Sequence, residues 1–455
     1  MSLKVRAGFV GFGEVNTPRE FIDPRCAVAA EELQKRGVEL VITAPVSDDP
    51  AGENAVRAAR ELAAGDIDAL VLCVAGWIPS WAVFKVVENF KHLPIVLWGL
   101  SGWKDGSRWV TTADQAGTTA LRAPLAEQGY KVEYIVNFRD DAPRYDEVAD
   151  VLFAASARRR LTGKMLGMTG YRDMRLFGTL YDGNLLKNVL GLEIEHIDLL
   201  EIKEMIDSVS EEEIAEKAAH IRNNWKFIRD PQPGTVEASV RLALAFRRKI
   251  MERGYAGFSF CDVDGVKKLM KFAPAGAMTL LHQLTEIPTV PENDSYGLAT
   301  QAVVRELTGE VAGYLEFYEF GKNTALMGVP DYVPYNMVDG QITVMPNAFG
   351  SFGEGLLNVS RLKTGTVTLV RFSSANGRMF MHMALAEAKT PPAWEEAGWA
   401  PPAPQLPSLE MHFNFPSDSF LENVIAQHYI IAYGDIRRRL KYFCRQNGIG
   451  IIETA

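Results

Sequence analysis

The sequence predicts an α/β protein with two Rossmann-like, doubly wound α/β domains followed by a smaller antiparallel, β-rich, barrel-like domain. Three observations carry this. Short apolar runs alternate with amphipathic segments across residues 1–162, as the strands and helices of a parallel sheet must. The same alternation restarts at 163 and runs to 318. Beyond about 320 the hydrophobic period shortens to two, the mark of half-buried antiparallel strands. The expected domains are therefore 1–162, 163–318 and 319–455, and a chain of 455 residues does exceed what one core holds.

In the first domain strands are expected at 5–11, 39–43, 69–75, 95–99 and 132–137, with helices at 24–36, 53–64, 80–91, 113–128 and 145–161. Each strand ends in Gly, Pro or a polar residue, where a turn must begin. Gly11 and Gly13 suggest a dinucleotide fingerprint, yet the third position is Asn16, and the second strand ends Thr43-Ala44-Pro45 with no acid for a ribose. Tight turns account for these glycines. The second domain should place strands at 164–168, 193–198, 257–261, 289–292 and 310–318, and helices at 175–190, 210–228, 234–252, 275–284 and 296–307. In the third, strands at 341–345, 365–373 and 378–386 include a hairpin turned by Asn376-Gly377. A proline-rich loop, 391–407, a strand at 410–415 and a helical segment at 434–446 complete the chain.

Bulk properties weigh against some partners. A net charge of −9 disfavours nucleic acid and anionic membrane surfaces, both of which require a basic face. No apolar run approaches the ~18–20 residues of a membrane span, and the first residues lack a basic segment ahead of an apolar one. Cys26, Cys73, Cys261 and Cys444 are scattered without CxxC spacing and read as reduced thiols. The expectation is a cytoplasmic protein with no membrane or nucleic-acid partner.

Chemistry is sought first in carboxylates. Glu292 is expected at one strand end and Glu316 at another, and the carboxyl ends of parallel strands are where open α/β sheets bind ligands. On neighbouring strands, the two could converge on one divalent cation. Without an ion they would repel until one took up a proton, and two solvated strand-end glutamates are the plainer alternative. Of the seven histidines, His428 lies among apolar residues, where a hydrogen-bonded core histidine is commoner than a ligand. Trp77 and Trp81, in Gly76-Trp77-Ile78-Pro79-Ser80-Trp81 after a strand, suit stacking on the C–H face of a sugar or packing beneath a loop or at a subunit contact. Arg19, in the loop after the first strand, suits an anionic or hydroxyl-rich ligand.

Glu292-Asn293-Asp294-Ser295 with Gly297, a helix, Glu306-Leu307-Thr308-Gly309, and then an acid at Glu316 resembles the metal-site region of the L-fucose isomerase family, with a more distant likeness to L-arabinose isomerases. The resemblance implies two α/β domains and a β-rich one, and an aldose–ketose isomerase acting on a free sugar, L-fucose- or D-arabinose-like or modified. It implies Mn2+, with Mg2+ or Co2+ as substitutes, held by Glu292, Glu316 and His428, with the two acids also moving protons. It further implies a homo-oligomer, trimer or hexamer, in which the first domain helps cover a neighbour's site; Arg19, Trp77 and Trp81 would then contact substrate, as would Gln427. The chain departs from the family in three ways: glutamate rather than aspartate at 316, Gln427 where asparagine is typical, and a shorter third domain. Other enolate chemistry on the same scaffold and a non-catalytic sugar-binding role remain as rivals, with a nicotinamide dehydrogenase weakened by the broken glycine pattern.

Overall fold

Strand β1 (Val5–Phe12) has seven of its eight residues buried, and all six of β3 (Ala69–Val74) are buried, so both belong in the interior of a sheet covered on its two faces. They are central in a five-stranded parallel sheet with β2 (Val38–Ile42), β4 (Pro94–Gly99) and β7 (Lys131–Val136), in the order β2-β1-β3-β4-β7. The edge strands β2 and β7 keep exposed residues, as edges should. Helices Arg19–Lys35, Glu53–Ala63, Ser80–Val87, Asp114–Glu127 and Tyr145–Leu161 follow the strands in turn. A short hairpin, β5 (Trp103–Asp105) with β6 (Arg108–Val110), interrupts this order and was not expected.

This is a computed structural model, and it describes residues 3–328, 332–348, 353–391 and 408–455. The expected proline-rich loop, apart from Pro391, lies outside them. Contacts divide the chain into two units: Met1–Arg160 with Arg438–Gln446, and Leu161–Arg437 with Asn447–Ala455. In the first unit, helix Arg437–Gln446 is tied down where Arg438 and Arg439 each donate to Asp150 at 2.6 Å and Tyr442 donates to Glu147 at 2.6 Å.

The second unit holds a parallel sheet in the order β12-β11-β8-β9, formed by β8 (Met165–Thr169), β9 (Glu193–Ile197), β11 (Gly257–Phe260) and β12 (Thr289–Val290). Helices Thr235–Arg253, Ala275–Thr285 and Ser295–Thr308 flank it, and β10 (Lys226–Phe227), β15 (Thr343–Ala348) and β16 (Glu354–Asn358) make a small sheet of their own. The antiparallel part comprises β13 (Gly313–Phe320), β14 (Thr324–Gly328), β17 (Gly365–Ala375), β18 (Arg378–Lys389), β19 (Ser408–His412) and β20 (His428–Tyr433), with β21 (Gly450–Thr454) added in parallel to β18. Its pairings run β17-β20-β13-β14-β19-β18 and return from β18 to β17, so the ladder closes on itself and leaves no free edge among those six. Leu315, Phe317, Met327, Leu369, Met411, Phe420 and Tyr429 pack within one hydrophobic cluster.

Two expectations require correction. The span 175–190 is not one helix: 3₁₀ turns at Asp173–Arg175 and Phe177–Thr179 precede a helix at Gly183–Leu190, which Asp182 caps by accepting from Leu185 N. The Asp173 carboxylate gathers the amides of Met174, Val263 and Asp264, and this outcompetes helical bonding. The strand carrying Glu316 does not extend the second parallel sheet; β13 pairs antiparallel with β14 and β20. Among the described residues, no helix is long and apolar enough to cross a membrane.

Candidate functional site

The loop after β12 is pinned residue by residue. Glu292 and Asn293 both have left-handed backbones, φ 62° and 50°, an uncommon state for residues with a Cβ and one that surrounding contacts must hold. Those contacts are present. The Glu292 amide donates to Asp262 Oδ1 at 2.9 Å, while Asp262 Oδ2 takes the ammonium of Lys267 at 2.9 Å, both side chains being buried. Asn293 Nδ2 donates to the carbonyls of Thr169 and Tyr171, at 2.8 and 2.7 Å, binding the loop to the end of β8. Asp294 caps helix Ser295–Thr308 by accepting from Gly297 N at 3.0 Å, and Ser295 Oγ donates to the Thr179 carbonyl.

Asp294 also anchors the loop to the antiparallel strands. Its two oxygens accept from Arg371 Nη1 and Nη2 at 2.6 and 2.7 Å, and Oδ2 accepts from Tyr314 Oη at 2.8 Å. Burial would raise the Asp294 pKa, but the Arg371 guanidinium outweighs it and holds the carboxyl below its usual range. Burial, then the Asp294 charge, keep the Tyr314 phenol well above its ordinary value, so it remains a donor.

Glu316 and His428 are direct partners in the β13–β20 register, which puts their side chains on one face of the pair. Their closest atoms, Glu316 Oε2 and His428 Nε2, are 3.5 Å apart; His428 Nδ1 lies 3.9 Å from Glu292 Oε2. The structure thus brings together Glu292, Glu316 and His428, drawn from three distant stretches of sequence. They meet differently from the sequence expectation, because the acids are not on neighbouring strands of one sheet and Glu316 is within a strand rather than at its end. Gln427 Nε2 donates to Glu316 Oε2 at 2.6 Å, so the glutamine beside the histidine orients the acid. Burial lowers the His428 pKa to about 3, opposed by Asp294 and reinforced by Arg371, and the imidazole is neutral near pH 7.

Two carboxylates and a neutral imidazole are a donor set suited to Mn2+, Co2+ or Mg2+. Among the described residues, however, no three such side chains already form a metal cage. His428 stands between the two glutamates, one ring nitrogen toward each. The donor chemistry fits an ion; the spacing shown is that of side chains around their own contacts.

The remaining expected site residues belong to the first unit. Arg19 opens helix Arg19–Lys35, donates to the Pro45 carbonyl at 3.2 Å and pairs with Asp23 at 2.8 Å. Trp77 accepts at its carbonyl from the Glu14 amide, donates its own amide to the Thr112 carbonyl and is 37% exposed. Trp81, 47% exposed, lines a groove of about 560 Å³ with Phe84 and Tyr130. Sequence reasoning missed Tyr314, Arg371, Asp262 and Lys267. Arg371 left a signal, a lone arginine in the apolar run Val367–Phe372, where a charge is tolerated only when paired.

No protein-family model and no curated protein matches this chain. Among solved structures, an ABC transporter solute binding protein from Agrobacterium vitis with bound D-fucose is similar over 63% of this chain and 93% of that one, at 12% identity and a TM-score of 0.15, a likeness too slight to support an argument.

Proposed function

We propose that this protein is a metal-dependent aldose–ketose isomerase of the L-fucose isomerase type, built from two Rossmann-like domains and a barrel-like one and acting on a free sugar through an ene-diolate. The observation that carries the reading is the meeting of Glu292, on a loop with two left-handed residues, with His428 at 3.9 Å and of His428 with Glu316 at 3.5 Å on neighbouring strands.

Glu292, Glu316 and His428 would hold Mn2+, with Mg2+ or Co2+ as substitutes. When bound there, the ion would supply Lewis acidity at two adjacent sugar oxygens. The protein's own part is proton movement. One carboxylate takes the proton from the hydroxyl-bearing carbon beside the carbonyl and a carboxylate returns it to the former carbonyl carbon, while the hydroxyl proton passes to the former carbonyl oxygen, so that the neutral ketose results. Asp262, by holding the Glu292 amide, and Gln427, by holding Glu316 Oε2, fix the two acids before substrate arrives. Exposed Arg19, Trp77 and Trp81 are proposed to contact sugar across a subunit boundary in a trimer or hexamer, which light scattering would size.

The test is proton NMR of aldose–ketose exchange in D2O with Mn2+ present. Glu292→Gln and Glu316→Gln should each lower kcat by about 10²–10⁴, with KM changed less. Wild-type turnover in both variants would end the proposal.

A further inference from the structure

We propose that Tyr314 is a positioning residue of this site, setting His428 and Glu316 against Glu292. The inference rests on the functional reading above but concerns a side chain that would touch neither ion nor sugar. Three contacts converge on it. Its ring stacks on the His428 imidazole, centroids 4.3 Å apart and planes 16° apart. Its hydroxyl donates to Asp294 Oδ2 at 2.8 Å, two residues beyond Glu292. Its backbone lies two residues before Glu316 on the same strand, so alternation puts the two side chains on one face, with His428 opposite Glu316.

Tyr314 is therefore joined to each segment that carries a candidate ligand, by a stack, a hydrogen bond and the chain itself. Arg371 also holds Asp294, donating to both of its oxygens, so the hydroxyl's acceptor is fixed. The Tyr314 ring, 1% exposed, covers one face of the imidazole and opposes its rotation about Cβ–Cγ. Groups behind a ligand that set its orientation commonly change metal affinity by about 10–100-fold when removed.

Two variants separate the stack from the hydrogen bond. Tyr314→Phe keeps the ring and loses the bond to Asp294; Tyr314→Leu loses both. Mn2+ titration of the full-length protein, with folding checked by circular dichroism, should give a threefold to tenfold weaker affinity for Tyr314→Phe and about 10–100-fold for Tyr314→Leu. In turnover the loss should fall on kcat, with the sugar KM little changed. Wild-type Mn2+ affinity in both folded variants overturns the proposal, and where Tyr314→Leu does not fold, wild-type affinity in Tyr314→Phe alone does so.

A wild-type protein that binds Mn2+ but isomerises no sugar defeats the functional reading and leaves the affinity comparison to decide this one. A wild-type protein that binds no Mn2+ also defeats that reading. Diethyl pyrocarbonate modification of His428, mapped by mass spectrometry, then decides: fast labelling only in Tyr314→Leu upholds the positioning role, and equal labelling in all three proteins overturns it.

Discussion

Gly297 lies in the first turn of helix Ser295–Thr308, where alanine would ordinarily be preferred by roughly 0.5–1 kcal/mol. Here a Cβ would stand 2.5 Å from Asp294 Oδ2 and 2.8 Å from Arg371 Nη1, atoms of a buried ion pair with no room to withdraw. The pair outweighs the propensity, so Gly297→Ala should destabilise by roughly 2–4 kcal/mol. A urea melt in which Gly297→Ala equals or exceeds wild type would refute this. The same residues show what single positions disclose before a structure exists. Glu292, Glu316 and His428 were singled out through the resemblance around Glu292, since their spacing alone fits solvated glutamates and a core histidine as well; the structure places the three side chains near one another. Arg371 and Tyr314 were not assigned, because their common partner Asp294 lies 77 and 20 residues away and no local pattern encodes that distance.

At the level of elements, the capping carboxylate of one helix is also the counter-ion of a strand, and the two roles can be separated. Asn caps a helix about as well as Asp, so Asp294→Asn keeps the cap and removes the charge. It leaves the Arg371 guanidinium buried without a full partner, at a cost of roughly 3–5 kcal/mol. Arg371→Met added to Asp294→Asn should recover a kcal/mol or more, because the stranded charge is then gone. Strictly additive losses in a denaturation cycle would contradict the argument. Elements of this kind were visible to different degrees. β1, β3 and β4 were read close to their ends because a covered parallel strand is apolar throughout. The hairpin of β17 and β18 was read from its alternation and from Asn376 and Gly377, both with positive φ. The region after β8 misled because its apolar spacing suits a helix, whereas Asp173 draws backbone amides into turns. β13 was assigned to the wrong sheet since alternation identifies a strand but not its neighbour.

On the scale of the whole chain, the two units should answer acid in opposite directions. In the second unit, burial lowers the pKa of both His282 and His382 to about 4. His382 lies between the hydroxyls of Tyr429 and Thr454, and His282 Nδ1 faces the amide of Tyr335. An unfolded histidine titrates near 6.5, so between about 6.5 and 4 the unfolded chain binds protons that the folded unit does not. Stability is therefore complete above 6.5 and falls as pH decreases, by on the order of 3 kcal/mol per histidine at pH 4. In the first unit, burial raises Asp114 to about 6 against the opposing pull of Arg25, and burial also raises Glu133. For Asp114 the folded form binds the proton first, so the stability it contributes grows as pH falls through about 6 and is lost as pH rises through it, and Glu133 acts in the same direction. Calorimetry from pH 7 to pH 5 should accordingly lower the melting transition of the second unit while that of the first holds or rises. His382→Gln or His282→Gln should reduce the slope of the second transition by about one proton each, and two transitions that move down together, with slopes unaltered in the variants, would contradict the assignment.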